Sequence, residues 1–321
     1  MPYAPAGMLT TSGGLTHFPA AYYKRKALDQ LMKKFIFMSV AEPDEIPLRE
    51  GKVIQWYRVD LPQANTTPSS EGSVSNSLAY STATISATVS EYSDFITAST
   101  LLVEVDIAPT VENMSKWLGY RAGLSTDTIV RLELDSAYSS VQLPTLGPYL
   151  TAADFAQARM LLKGADVHGM DEDGEEFVAV LHPYVEYDLM NDNSAGGWID
   201  VKKYADPKEI IEGEVGKIAG CRCLESTNVG TTGSSPNVLY YTYVVGENAI
   251  GAVNLSGRGP SKVVDPRKQA FKTNVIMGKP QMADPEGKIG AAVSYRFVFV
   301  AKLLDTNVYR YYIIPADASL V

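Results

Sequence analysis

The best candidate for metal chemistry in this sequence is an acidic run at residues 171–174, Asp-Glu-Asp-Gly, which resembles part of a calcium-binding loop. In such a loop the glycine holds the sixth position, and carboxylates are needed at the first and the twelfth. Aligned on Gly174, those two positions fall on Gly169 and Val180, and neither residue has a carboxylate. A solvated acidic turn is therefore the favoured interpretation.

Two cysteines stand close enough together for thiol chemistry. Cys221 and Cys223 flank Arg222 in a segment typical of a strand, so alternation places both thiols on one face. They are either a redox pair or two small hydrophobic residues of the core. The core interpretation is favoured, because free cysteine is among the most buried residue types.

The other reactive side chains fit no catalytic template. The histidines at positions 17, 168 and 182 have no metal-ligand spacing, and His182 before Pro183 suits the start of a helix. A phosphate-binding loop needs a lysine after its second glycine, but Ala252 follows Gly251. No Gly-x-Ser-x-Gly nucleophile elbow occurs. The sequence therefore predicts no enzyme and no catalytic, cofactor-binding or metal-binding residue.

Composition narrows the classes of protein further. Of 321 residues, 45% are hydrophobic and 20% are charged, which is typical of a folded chain with a packed core. The net charge of −9 argues against a broad basic surface for nucleic acid. Two cysteines exclude a disulfide framework. The apolar stretch 35–41 is far short of the roughly 20 residues that span a membrane, and the first 16 residues do not form a signal peptide.

A long hairpin is the first element that the pattern predicts. Segments 51–60 and 83–90 have strand propensity and alternation, and a polar tip at 61–77 joins them. Alternation places Trp56 on one face of the first strand and Tyr57 on the other. An isolated two-stranded hairpin is marginal in water, so this one needs support from outside itself, which is the first indication of an assembly.

Helical spacing predicts one unusually long helix over residues 109–136. Gly119 and Gly123 lie inside it, where they either permit close packing or mark a bend. Apolar or small residues recur along one face at steps of three or four. They are Val111, Met114, Leu118, Ala122, Ser125, Ile129, Leu132 and Ser136.

The rest of the chain predicts an α+β fold. Thr151 caps a helix that ends at Gly164, and a strand at 177–181 leads into a helix through residue 189. The stretch 227–237, rich in Gly, Ser and Thr, is predicted to be a flexible loop. Later strands are expected at 221–226, 238–245, 248–254, 291–301 and 307–314.

The N-terminal part has two interpretations. Residues 1–21 form a loose, small-residue arm, and residues 22–38 then show helical spacing with five basic residues against one acid. This segment is either an amphipathic helix with a solvated basic face or an arm that lies across a neighbouring subunit.

Several segments, in this order along the chain, resemble the major capsid proteins of tailed bacteriophages, of the N-four-like (enquatrovirus-type) group. The segment 212–220, Glu-Gly-Glu-Val-Gly-Lys-Ile-Ala-Gly, is the most specific of them. The others include Tyr22-Tyr23, Trp56-Tyr57-Arg58, Thr66-Thr67-Pro68 with Glu71-Gly72, Arg121-Ala122-Gly123-Leu124, His182-Pro183, Lys203-Tyr204-Ala205 and Glu225-Ser226-Thr227-Asn228.

The resemblance implies the Hong Kong 97-like coat fold. Its parts are expected at 1–45 (N-terminal arm), 46–95 (extended loop), 96–145 with 255–321 (peripheral domain with a long spine helix) and 146–254 (axial domain). The resemblance also implies subunit-interface residues on the arm and the loop. They are Tyr22, Tyr23, Lys24, Arg25, Trp56, Tyr57, Arg58, Pro68, Glu71 and Gly72.

The implied function is a coat protein that assembles with itself, as hexamers and pentamers, into an icosahedral shell. The shell encloses double-stranded DNA without sequence-specific binding, and scaffolding, portal and decoration proteins are expected partners; no membrane is involved. A strongly basic inner wall would hold the DNA electrostatically and oppose its release, so a neutral or acidic lining is expected. Residues 165–200, in the expected axial domain, hold ten acids and no Lys or Arg. The implied location is the virion, assembled in the bacterial cytoplasm.

Three rival functions stay open at this point. A bacterial nanocompartment shell shares the coat fold and encloses an enzyme instead of DNA. A hydrolase would use His182 with a nearby carboxylate. A soluble binding module would use the hairpin as an adhesive element.

Overall fold

The structure is a computed structural model that describes residues 35–47, 49–59, 64–68, 71–72, 80–105, 110–171, 173–191, 214–234, 237–255, 273–277, 289–305 and 309–318. The fold is α+β, as predicted. The helices are α1 (Phe37–Val40), α2 (Thr100–Val105), α3 (Thr110–Asp135), α4 (Tyr138–Val141), α5 (Ala152–Gly164) and α6 (Pro183–Met190). The strands are β1 (Glu42–Ile46), β2 (Val53–Val59), β3 (Thr82–Thr88), β4 (Ser90–Ser99), β5 (Phe177–Leu181), β6 (Glu214–Ile218), β7 (Cys221–Glu225), β8 (Thr231–Ser234), β9 (Asn237–Val245), β10 (Ile250–Leu255), β11 (Thr273–Met277), β12 (Ile289–Leu303) and β13 (Tyr311–Ala316).

The first sheet is organised around its longest strand. β12 pairs antiparallel with β4, β10 and β11, and β1 joins β10 in parallel. The aromatic side chains of Tyr295, Phe297 and Phe299 on β12 are buried. They belong to a large core that also contains one face of α3, so this sheet and the long helix stabilise each other.

The second sheet follows the order β13-β9-β5-β7-β6, with β8 added beside β9. Its strands are antiparallel except for the parallel pair β5–β7. A separate core lies under α5 and α6 and includes fully buried Phe155, Phe177 and Leu181. The Asp154 carboxylate accepts hydrogen bonds from the Thr151 N–H and hydroxyl at 2.8 and 2.7 Å, so α5 begins where the sequence predicts.

The third sheet is the predicted hairpin, β2 with β3. The register runs from Val53 opposite Thr88 to Val59 opposite Thr82. Residues 54, 56 and 58 are half-buried while the residues between them are exposed, so alternation divides the strand into two faces as predicted. The tip segments 64–68 and 71–72 are exposed.

The long helix is confirmed, and one of its glycines is explained. α3 has 26 residues, which corresponds to about 39 Å at 1.5 Å per residue. A Cβ added at Gly123 would lie 2.6 Å from Cε2 of Phe35, so this glycine permits close packing. The predicted buried stripe was wrong at its C-terminal end, because Leu132 is 53% exposed. The buried stripe instead runs at steps of four through Leu118, Ala122, Thr126, Val130 and Leu134.

The stretch 227–237 also differs from its prediction as a flexible loop. Asn228, Val229 and Gly230 are buried, and β8 pairs with β9. The Gly230 N–H donates to the hydroxyl of Tyr243 at 3.0 Å. Residues that favour a loop by composition are held here because their backbone groups find partners on α3 and β9.

Candidate assembly surfaces

The inner face of the hairpin is packed on its own chain. Trp56 is half-buried, and its Nε1 donates to Oδ2 of Asp44 on β1 at 3.3 Å. A Cβ added at Gly251 on β10 would lie 3.0 Å from the indole ring. Ile54 and Trp56 pack against a small buried cluster of Ile46, Val89, Val253 and Val298. The hairpin therefore finds part of the support that the sequence requires within the same chain.

An ion pair further along β2 also attaches the inner face of the hairpin to the rest of the chain. The guanidinium of Arg58 donates to the carboxylate of Asp305, whose side chain is only 6% exposed. Nε of Arg310 lies 3.9 Å from the other carboxylate oxygen. A carboxylate buried this deeply is costly without a charged partner, so Arg58 links the hairpin to the segment after β12.

The outer face of β2 is an exposed apolar strip, formed by Val53, Tyr57 and Val59. Their exposed fractions are 49%, 72% and 45%. Tyr57 and Val59 are neighbours on this face, while the exposed polar residue Gln55 lies between Val53 and Tyr57. Three of the four residues on this face are therefore exposed and apolar, whereas single scattered apolar residues are ordinary on a surface, so the outer strip has the character of a surface that packs against another molecule.

A second exposed apolar surface was missed by the sequence reasoning. The helix α2 buries none of its residues, and Leu101, Leu102 and Val105 are 71%, 47% and 69% exposed. Phe95 on the preceding strand β4 is 73% exposed. We call these four residues the α2 patch. The signal was present in the sequence as the run Leu101-Leu102-Val103, but a short apolar run indicates burial and does not say against which molecule.

Two acids directly after the acidic turn at 171–174, Glu175 and Glu176, are paired with basic residues. Glu175 pairs with Lys163 and with Arg159 at 3.3 Å, and these hydrogen bonds and charges lower the pKa of Glu175. Burial raises the pKa of Glu176, but its bonds to Lys217 at 2.7 Å and Arg222 at 2.9 Å outweigh that and leave it lowered. The acids therefore join α5, β6 and β7 and are partly neutralised by these basic residues.

The thiols are core residues. Cys221 and Cys223 are both fully buried, while Arg222 lies on the opposite face of β7. Burial raises the pKa of the Cys221 thiol to about 12, so the nucleophilic thiolate is scarcely populated at neutral pH. This supports the core interpretation over the redox pair.

The histidine of the hydrolase alternative has a local structural role. Nδ1 of His182 accepts the N–H of Tyr184 at 3.2 Å at the start of α6, and the imidazole stacks on Tyr240 with ring centroids 4.5 Å apart. Within the described part of the chain, no group of His, Cys, Asp and Glu is arranged to hold a metal ion. In the same part of the chain, no helix is both long and apolar enough to cross a membrane.

The segment before β1 is fixed by a buried polar network on α3. Residues 35–40, which we call the arm root, contact Asp127, whose Oδ1 accepts the N–H of Phe37 at 2.8 Å. Oδ2 of Asp127 accepts from Nδ2 of Asn228, also at 2.8 Å. Two turns further along α3, Oδ1 of Asp135 accepts the hydroxyl of Tyr243 at 2.6 Å. The long helix therefore joins the arm root to the 226–230 segment and to β9.

Comparison with known proteins finds similar structures but no similar sequence family. No protein-family model matches the sequence, and no curated protein matches it significantly. The capsid structure of cyanophage P-SCSP1u matches with a TM-score of 0.65 at 16% identity, covering 99% of this chain and 100% of that chain. The capsid of Ralstonia phage GP4 matches with 0.65 at 14% identity, covering 96% and 99%. The chain in the holo-SrpI encapsulin complex from Synechococcus elongatus gives 0.60 at 7% identity, covering 92% of each.

These matches establish the fold. The chain has the Hong Kong 97-like fold of phage capsid proteins over nearly its whole length. The predicted fold class is confirmed, including the long helix and the hairpin that carry it. At identities of 16% and below, the likeness concerns the fold and not the activity.

The predicted interface residues fall into three groups. Trp56 and Arg58 contact the body of their own chain, whereas Tyr57 is exposed beside them. The tip residues Pro68, Glu71 and Gly72 are exposed as well. Contact of these residues with a neighbouring subunit stays a prediction. The four residues predicted on the arm lie outside the described residues; they are Tyr22, Tyr23, Lys24 and Arg25.

Proposed function

We propose that this chain is the major capsid protein of a tailed bacteriophage, which assembles with itself into the icosahedral shell around double-stranded DNA. The observation that carries the proposal is the match to phage capsid chains over 99% of this chain and 100% of the other. A fold alone hosts many functions. Here the exposed outer strip and the α2 patch add what a shell subunit needs, which is apolar surface left for other copies.

The mechanism that we propose is many modest contacts instead of one tight one. Each copy contacts several neighbours through the hairpin and the arm, and linked contacts gain strength through effective concentration. Tyr57 on the outer strip and the exposed tip residues Pro68, Glu71 and Gly72 are the described loop residues proposed to meet a neighbour. Trp56 and Arg58 then act at the border of the interface, since they also contact their own chain.

The finer assignments belong to the same proposal. We place the chain in the N-four-like group, with an arm at 1–45, an extended loop at 46–95, a peripheral domain at 96–145 with 255–321, and an axial domain at 146–254. Scaffolding, portal and decoration proteins are the proposed partners besides the chain itself. The proposed location is the virion after assembly in the host cytoplasm, and no catalytic role is assigned.

Deleting the polar tip tests the assembly mechanism. A variant in which residues 62–77 are replaced by a short glycine linker should fold, because the described tip residues are exposed, but should not form stable closed shells. Far-ultraviolet circular dichroism checks folding, and gradient sedimentation with cryo-electron microscopy checks assembly against the unmodified chain. Normal closed particles from the variant would contradict the proposed role of the loop.

One observation favours a second function. An encapsulin chain matches with a TM-score of 0.60, so the same fold forms a different kind of shell. Purified particles separate the two functions: a capsid made in infected cells contains double-stranded DNA, whereas a nanocompartment contains protein cargo. Nuclease-protected DNA of genome length supports the capsid, and DNA-free particles with a bound enzyme support the nanocompartment.

A further inference from the structure

The most unusual buried group in the described chain is the carboxyl of Asp127, in the middle of α3. The residue is fully buried, with 0% exposure. Its two oxygens accept from different segments, Oδ1 from the Phe37 N–H and Oδ2 from the Asn228 side-chain amide, each at 2.8 Å. One carboxyl therefore joins the long helix, the arm root and the 226–230 segment.

The groups around Asp127 supply hydrogen bonds but no paired cation in the described structure. The arm root and the 226–230 segment contain no titratable side chain. On α3 itself, Arg131 lies one turn further on, where its Nη1 donates to the Val229 carbonyl at 3.3 Å and lies 3.9 Å from Oδ2 of Asp135. From β9, the hydroxyl of Tyr243 also bonds to Asp135. Among the residues that the structure describes, none supplies a counter-charge to the buried carboxyl of Asp127.

Burial then decides which protonation state the folded chain prefers. Desolvation raises the pKa of Asp127 from 3.8 to about 6, against the opposing effect of Asn228 and of the backbone N–H groups of residues 36–38. A charged group transferred from water to an apolar interior is costly, and hydrogen bonds offset only part of that cost.

We propose that Asp127 is a proton-controlled lock on the arm root: its protonated carboxyl holds residues 35–40 on α3 more tightly than its ionised carboxylate does. The inference concerns the single chain and does not depend on the proposed function. In an assembly it would regulate how freely the N-terminal segment leaves the long helix.

The hydrogen-bond partners are suited to both protonation states. Nδ2 of Asn228 donates to Asp127 and also to the hydroxyl of Thr128 at 3.2 Å. If Asp127 carries a proton, the side-chain amide of Asn228 can turn by half a rotation. Its oxygen then accepts a hydrogen bond from the protonated carboxyl. The Thr128 hydroxyl then donates to the same oxygen, since a hydroxyl is both donor and acceptor.

The direction of the pH effect follows from the two pKa values. The docked carboxyl has a pKa of about 6. If release of the arm root hydrates the carboxyl, its pKa returns towards the ordinary value of 3.8. The docked state binds the proton more tightly, so docking is strongest below pH 3.8 and weakens as the pH rises through 6. A difference of about two pKa units corresponds to a total change on the order of 100-fold, of which about tenfold falls between pH 5 and pH 8.

Hydrogen exchange on the purified full chain tests the lock. Exchange of a peptide covering residues 35–40 is followed by mass spectrometry from pH 5 to pH 8 and corrected for the intrinsic rate. We expect protection to fall about tenfold over this range in the unmodified chain. Asp127→Asn should remove the dependence, because the amide has no charge at any of these pH values. Asp135→Asn, which changes a half-buried carboxylate of α3 that bonds to Tyr243 and not to the arm root, should retain it.

Two results would overturn the proposal: constant protection of the arm root in the unmodified chain, or an unchanged pH dependence in Asp127→Asn. If that variant does not fold, a carbon-13 titration of the Asp127 carboxyl in the unmodified chain decides instead. A midpoint near 6 supports the lock. A midpoint at the ordinary value of an aspartate, about 4, refutes it.

Discussion

The second sheet and the hairpin are supported in opposite ways. The second sheet encloses a core with Phe155, Phe177 and Leu181 fully buried, and the two acids after its acidic turn are paired with basic residues of the same unit. The hairpin rests on a cluster of four buried residues and exposes the apolar strip of Val53, Tyr57 and Val59. The second sheet is therefore stabilised by contacts within its own unit. The hairpin instead depends on a few contacts with the rest of the chain and leaves apolar surface available to another copy.

The largest expected effect is in the second sheet. Phe155→Ala removes a fully buried ring from α5, so we expect the free energy of unfolding of the subunit to fall by about 3–5 kcal/mol. Denaturant titration measures this. Met160→Ala on the same helix is the control, since Met160 is 63% exposed and its loss should change stability by less than about 0.5 kcal/mol. Equal effects would mean that α5 is not packed as described.

The hairpin should respond to loss of a single ion pair. Arg58→Ala leaves the buried carboxylate of Asp305 without its nearest partner, so we expect a loss of about 1–3 kcal/mol and faster proteolysis within the hairpin. Limited proteolysis followed by mass spectrometry locates the cleavage. Arg296→Ala is the matched control, because its pair with Glu91 is half-exposed and should contribute less than about 1 kcal/mol. Unchanged hairpin cleavage in Arg58→Ala would show that the hairpin is held by other contacts.

The paired acids of the second sheet predict a pH dependence. The pKa of Glu176 is lowered below its ordinary value of 4.5 by Lys217 and Arg222, so folding favours its ionised form. Its contribution to stability is complete above pH 4.5 and is lost as the pH falls through the lower folded-state pKa. Glu176→Gln should flatten the acid side of the stability curve measured by urea titration. The curve of Gln55→Ser, an exposed change on the hairpin, should superpose on that of the unmodified chain.

The smallest effect on the isolated subunit is expected on the outer strip. Tyr57→Ala should change the free energy of unfolding by less than about 0.5 kcal/mol, because Tyr57 is 72% exposed. Assembly should nevertheless fall, since the ring is available to a neighbouring copy. Sedimentation of assembled material measures this, with Leu132→Ala, an exposed change on α3, for comparison. If Tyr57→Ala assembles as fully as the unmodified chain, the outer strip is not needed by a neighbouring copy, and the contrast between the hairpin and the second sheet is wrong.

Much of the local structure could be predicted from the sequence because periodicity and capping are local. The alternation of Ile54, Trp56 and Arg58 located the hairpin and divided its faces, and Thr151 located the start of α5. The helix at 110–135 followed from its three-and-four spacing. The buried stripe of that helix was predicted incorrectly beyond Ala122. Spacing identified apolar residues there, but the burial of Asp127 depends on Phe37 and Asn228, which lie far away along the chain.

The sequence by itself determined the α+β class, the hairpin and the long helix. Each of these follows from residue type and spacing within a short segment. Only the tertiary structure decided that Arg58 meets Asp305, that Glu175 and Glu176 are paired, and that Asp127 joins Phe37 to Asn228. These partners lie up to 247 positions apart along the chain. The free energy of a buried charge depends on which distant groups the fold brings to it.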